Sequence, residues 1–170
     1  MKLTQIVTAC TLASAAAFAQ AAPIWQDFSI TGLYGEDYAF PGAGDNNKQS
    51  TATFEYTAKL KYGDFFAFAD RTHNDSGNAT YFEASPRLSL GAVTGQKLEL
   101  GPVKDVLLAG TWEGNSANYP GSDFNNYLYG VGVDLAIPYF QYAQVNLYRA
   151  NNDGNTPDDY QLTLVYGVPF

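Results

Sequence analysis

The sequence predicts an all-β protein, a transmembrane antiparallel β-barrel with about eight strands. Three observations predict it. Apolar and polar residues alternate with period 2 through most of the chain beyond residue 50. Aromatic residues are abundant, with 13 Tyr and 11 Phe, while Met and Cys are nearly absent. The N-terminus carries an export signal.

That signal is Lys2, the apolar stretch Leu3 to Phe18, and Ala19-Gln20-Ala21, a small-x-small cleavage site before Ala22. Residues 1–21 therefore read as a secretory signal peptide and residues 22–170 as the barrel. Val7-Thr8-Ala9-Cys10 offers a rival lipobox reading, but the apolar stretch before Cys10 is very short. Cys10 is the only cysteine, so the mature chain has no thiol. Export without disulfides suits a fold that closes its own hydrogen bonds.

The chain holds nine Lys and Arg against 17 Asp and Glu, a net charge of −8. Removing Lys2 with the leader takes −8 to −9, a balance that repels nucleic acid. Residues 22–170 contain no run of about 18 apolar residues, which excludes a transmembrane helix. A barrel strand shows only half its residues to lipid, so moderate hydropathy is compatible with it.

The expected strands lie near 25–35, 51–62, 64–72, 80–90, 103–113, 124–135, 139–149 and 159–168. In the second, Phe54, Tyr56, Ala58, Leu60 and Tyr62 alternate with Thr53, Glu55, Thr57, Lys59 and Lys61. In the fourth, Phe82, Ala84, Leu88 and Leu90 oppose Glu83, Ser85, Arg87 and Ser89. The sixth sets Tyr127, Tyr129, Val131, Val133 and Leu135 against Asn126, Gly130, Gly132 and Asp134. The last sets Tyr160, Leu162, Leu164, Tyr166 and Val168 against Gln161 and Thr163.

Residues 36–50, 73–79, 114–123 and 150–158 are rich in Gly, Asn, Asp and Pro and read as long outer loops. Connections around Gly63, Gly95 and Pro138 read as tighter turns at the other rim. A soluble β-sandwich or lipocalin-like barrel also alternates, with its apolar face inside, and pattern alone does not say which face is outer. The signal peptide, the aromatic strand ends and the alternating loop lengths favour the membrane form.

Several runs resemble the nucleoside-specific channel-forming proteins of Tsx and OmpK type. They are Thr53-Phe54-Glu55-Tyr56, Lys61-Tyr62-Gly63-Asp64-Phe65, Ala69-Asp70, Tyr81 to Ser89, and Leu100-Gly101-Pro102-Val103-Lys104. Tyr129 to Asp134 and Tyr166-Gly167-Val168-Pro169-Phe170 match further positions in order. The resemblance covers nearly all of residues 22–170. It implies an outer-membrane channel for facilitated diffusion of nucleosides, without a cofactor and without enzymatic chemistry. Implied partners are nucleosides, outer-membrane lipid and lipopolysaccharide, and the barrel-assembly machinery, with no nucleic acid. The resemblance also implies a barrel of about twelve strands in the complete family member. The chain is thus expected to be an incomplete barrel, the alternative being a genuine smaller one. An alternative function is a small closed barrel with a structural or surface-binding role, since a small barrel fills its own interior.

A nucleoside passage needs aromatic faces for stacking and polar groups for hydroxyls and base edges. Asp64 and Asp70 share a strand face with Phe66 and Phe68. Glu55, Lys59, Glu83 and Arg87 fall on the polar faces of two other strands. Tyr142, Gln144, Asn146 and Tyr148 share a face opposite Ala143, Val145 and Leu147. The candidate substrate-binding set is therefore Glu55, Lys59, Phe66, Phe68, Asp70, Glu83, Arg87, Tyr142, Gln144 and Asn146. Against it stands a structural reading, in which Glu55 pairs with Lys59 or Arg87, and Phe66 and Phe68 face lipid. Trp25, Tyr62, Trp112 and Tyr139 read as interfacial anchors. His73, the single histidine, sits in a glycine-containing loop that supports no rim hydrolase. Asn151-Asn152-Asp153-Gly154-Asn155 resembles a calcium loop, but Tyr160 stands where a bidentate Glu is needed.

Overall fold

The computed structural model describes residues 22–37, 48–75, 77–118, 121–153 and 156–169. The expected signal peptide, with Cys10, and most of the expected first outer loop lie outside them. Eight strands form one antiparallel meander: β1 (Trp25–Glu36), β2 (Lys48–Leu60), β3 (Gly63–Asn74), β4 (Gly77–Ser89), β5 (Val103–Ala117), β6 (Phe124–Leu135), β7 (Tyr142–Asn151) and β8 (Asp159–Gly167). Sheet order follows chain order, and β1 and β8 are edges that do not pair with each other. The sheet is therefore not a closed eight-stranded barrel.

Every expected strand is present, because period-2 alternation survives only where one face differs from the other. The connectors differ more. Residues 73–79 were expected as a loop, yet β3 runs to Asn74 and β4 begins at Gly77. Likewise β5 continues to Ala117. The polar residues at this rim still pair: Ser50 opposes His73, and His73 opposes Asn78. A ladder needs backbone hydrogen bonds rather than apolar side chains, so it extends past the apolar band.

At the opposite rim the connector near Gly95 is not tight. It holds a short helix, α1 (Leu90–Thr94), capped by the Ser89 hydroxyl, which accepts from the Ala92 N–H at 2.9 Å. The seventh strand begins at Tyr142 rather than 139. Ile137 to Phe140 form a turn closed by the Phe140 N–H on the Ile137 carbonyl at 3.1 Å, with Tyr139 at φ 70°.

Register partners share a face, so the pairings assign every side chain. One face carries Phe28, Ile30, Phe54, Leu108, Trp112, Tyr127, Tyr129, Val131, Leu147, Leu162 and Leu164, all exposed. The other is mostly polar, yet it contains the fully buried Leu107, the buried Arg87 and Asn146, and the apolar cluster of Ala109, Leu128, Tyr148 and Ala150. An apolar face that is exposed and a polar face that is buried invert the soluble arrangement. The sheet curls with its polar face inside, the inside-out pattern of a membrane barrel wall.

Gly130 allows close packing on the inner face beside Tyr148, its register partner. A Cβ there would lie 1.9 Å from the Leu147 carbonyl oxygen. Gly130→Ala is expected to destabilise the folded chain by about 1–3 kcal/mol, since β6 and β7 must shift to admit the methyl group. A urea unfolding midpoint equal to that of the parent in the same micelles would refute this.

Candidate functional site

Following the pairings across the inner face gives successive rows. Nearest the α1 rim is a charged row: Lys59 opposes Asp64, and Asp64 opposes Arg87. Further along, Ser29, Glu55, Phe68, Glu83, Glu113 and Asn126 follow one another from β1 to β6. The next row is Thr31, Thr53, Asp70, Tyr81, Asn115 and Phe124.

Arg87 organises the charged row. Its Nε and Nη2 each donate to Asp64 at 2.7 Å, a bidentate pair. Its Nη1 reaches across β5 to lie 3.0 Å from Asp134 Oδ1 and donates to Asn146 Oδ1 at 3.5 Å. The Asp134 contact is a charge contact off the hydrogen-bond axis, since that oxygen has no aligned donor. Lys59 Nζ adds a fourth charge 3.6 Å from Asp64 Oδ2. The cluster ties β2, β3, β4, β6 and β7 together because the sheet's curl brings β4 within reach of β7.

The aromatic residues run beyond that cluster. Phe66 and Phe68 have ring centroids 6.0 Å apart, Phe68 and Tyr81 5.6 Å, and Tyr81 and Phe124 6.3 Å. All four lie on the inner face. Carboxylates flank them. The Tyr81 hydroxyl donates to Glu83 and the Thr53 hydroxyl to Asp70 at 2.5 Å. Ser29 donates to Glu55 at 2.9 Å, and Asn126 donates to Glu113 at 3.4 Å. The result is a tilted aromatic ladder beside a line of hydrogen-bond acceptors.

The structure thus puts Glu55, Lys59, Phe66, Phe68, Asp70, Glu83, Arg87, Gln144 and Asn146 on one face, with Tyr142 at its rim. It divides them into groups. Lys59, Arg87 and Asn146 belong to the ion cluster. Glu55, Phe66, Phe68, Asp70 and Glu83 border the ladder. Tyr142 instead covers Gly167, where a Cβ would sit 2.5 Å from its ring, so it stands apart from the ladder. The expected Glu55 pairing with Lys59 or Arg87 is replaced: both cations turn to Asp64, and Glu55 accepts from Ser29. Register aligns Phe66 and Phe68 with Ser85 and Glu83 on the inner face, against the reading in which they face lipid.

Sequence reasoning missed Tyr81, Phe124 and Glu113. Parity held the signal for the first, because Tyr81 is two residues from Glu83 on the same strand. Trp112 lies on the outer face, edge-on to Phe82 at 4.7 Å, as an anchor should. Trp25 opposes Lys59 and so starts on the inner-face register, which corrects its expected place in an outer girdle. His73 pairs with Asn78 at 2.8 Å on the outer face, away from the ladder.

Comparison with known proteins agrees with this architecture. The family described as nucleoside-specific channel-forming protein, Tsx, matches residues 25–170. Outer membrane protein OmpK of Vibrio parahaemolyticus is 27% identical over 156 residues, covering 86% of this chain and 56% of the relative. OmpK of V. parahaemolyticus serotype O3:K6 (strain RIMD 2210633) is 26% identical over 158 residues, covering 86% and 57% respectively. The chain spans about half the length of the curated relatives it matches. No solved structure gives a significant match. An inside-out antiparallel sheet, with its apolar face outward and a match running from β1 to the last residue, makes this chain a member of the Tsx family of outer-membrane channel-forming β-barrel proteins, and not an enzyme.

Proposed function

We propose that the inner face carries nucleosides across the outer membrane by facilitated diffusion. The aromatic ladder Phe66, Phe68, Tyr81 and Phe124 is the observation that carries this reading. Stacking on successive rings is tolerant of base identity, because every base has a π-face. Glu55, Glu83 and Glu113 on the neighbouring row offer acceptors to ribose hydroxyls and to base amino groups. Repeated weak sites favour passage, since a ligand must leave each site as readily as it enters. No covalent step is required of any residue.

The test is single-channel conductance of the refolded chain in a planar bilayer, with adenosine titrated against glucose. The expected result is a small pore blocked in a graded way by adenosine in the micromolar to millimolar range and not by glucose. A pore equally indifferent to both would sink nucleoside specificity. A folded, heat-modifiable protein that forms no pore would favour a structural or surface-binding role.

A further inference from the structure

The four lysines gathered at the α1 rim play no part in the ladder. In a chain of net charge −8, half of the eight Lys and Arg beyond residue 21 line one open cavity of about 320 Å³. They are Lys59, Lys61, Lys97 and Lys104, contributed by the β2–β3 turn, the β4–β5 connector and the start of β5. The Ser89 N–H donates to the Tyr62 carbonyl at 2.9 Å, which fixes the two connectors side by side.

Of the four cations elsewhere beyond residue 21, three face a carboxylate, and the fourth, Arg71, donates to the Thr80 hydroxyl at 2.8 Å. Lys48 pairs with Glu36, Arg87 with Asp64 and Asp134, and Arg149 with Asp158. Lys61, Lys97 and Lys104 have no ion pair among the described residues. Two carboxylates also line the cavity, Glu99 and Asp105. Asp105 is occupied internally, accepting from the Ser89 hydroxyl, the Gly91 N–H at 3.2 Å and the Val106 N–H at 2.9 Å. Holding three unpaired ammonium groups together is unfavourable unless an anion joins them.

Position narrows the class of anion. On the outer face, apolar residues continue to this rim: Leu60, Leu88, Val106, Leu135 and Tyr166 stand at or near the strand ends. At the opposite rim the outer face ends in Lys48, Arg71, His73, Asn78 and Ser116. At the lysine rim the apolar band runs up to the turns on most strands, so this rim lies at headgroup depth. Basic pockets at that depth recognise lipid phosphates.

We propose that this cavity binds a phosphate-bearing anion through Lys61, Lys97 and Lys104, supplied by the headgroup of an anionic phospholipid. Lys59 closes the inner wall while remaining bound to Asp64. Binding here is separate from nucleoside passage and does not depend on it.

The experiment uses the full refolded chain in detergent micelles with equal amounts of phosphatidylglycerol and phosphatidylcholine, read by native mass spectrometry. The parent should retain phosphatidylglycerol in preference to phosphatidylcholine by at least about fivefold. The variant K61Q/K97Q/K104Q should lose the preference, while K48Q at the other rim should keep it. Absence of a preference in the parent, or an unchanged preference in the triple variant, would overturn the proposal. Lysine acylation of the parent chain gives a second readout that needs no variant. Phosphatidylglycerol, unlike phosphatidylcholine, should protect Lys61, Lys97 and Lys104, and equal labelling with both lipids would also overturn it. Millimolar inorganic phosphate separates the sources: no competition supports the lipid headgroup, whereas full displacement of the lipid overturns it in favour of a soluble phosphate ester.

Discussion

Replacing Phe66 and Phe68 together with alanine is expected to weaken adenosine block of the channel roughly 10- to 100-fold, because a base–aromatic stack contributes about 1–3 kcal/mol. The two rings are neighbours on β3, and Phe68 is the link to Tyr81. Their loss leaves Tyr81 and Phe124 as an isolated pair and interrupts the ladder on its β3 side. Both side chains are partly exposed on the inner face, so truncation removes a contact surface rather than a packed core. Ion conductance should change far less than the adenosine response, because ions do not stack. Tyr81→Phe offers a finer test. It retains the ring and removes only the hydroxyl that donates to Glu83. Its adenosine response should stay within a fewfold of the parent. Titrating adenosine in a planar bilayer reads both effects. An adenosine response in the double variant identical to that of the parent would remove β3 from the site.

Arg87→Met is expected to have the largest effect on stability, a loss of about 3 kcal/mol. Arg87 is 4% exposed, and its guanidinium faces two carboxylates. Methionine fills much of the same volume, so the loss arises from Asp64 and Asp134 being left without their counter-charge. Lys59 can compensate only Asp64, from 3.6 Å and with its own side chain half exposed. The double variant R87M/D64N should recover part of the loss, because it removes one stranded charge together with its partner. Urea unfolding in micelles, followed by tryptophan fluorescence, measures both. Should R87M unfold at the parent midpoint, the cluster would be ornamental to the fold.

Strand existence and strand facing were legible in the sequence, because both are local. Alternation has a period of two residues, so Glu55, Glu83 and Arg87 identify the polar face of their strands without reference to any other strand. The resemblance to the Tsx family was legible for a related reason. It is carried by short runs such as Tyr81 to Ser89 and Tyr129 to Asp134, which need only be read in order. The β3 strand was the exception. Phe65, Ala67 and Ala69 are as apolar as Phe66 and Phe68, so its own pattern does not choose a face; its partners Glu55, Glu83 and Arg87 do.

Connector lengths and side-chain partners depended on tertiary structure. Polar residues around His73 and Asn78 read as loop, yet they pair as strands once β2 and β4 hold them in register. Ion pairing was misassigned for the same reason. Choosing between Glu55 and Asp64 as the partner of Arg87 requires the register of β3 against β4, and finding Asp134 and Asn146 requires the curl that brings β4 near β6 and β7. Tyr81 and Phe124 meet across β5, and the lysines converge from the β2–β3 turn and the β4–β5 connector. The sequence by itself determined an alternating chain of eight strands, the polar face of most of them, and the family. Only the tertiary structure decided which charges neutralise one another and which aromatic rings form a line, because those relations join residues far apart in the chain through register and curvature that no local pattern encodes.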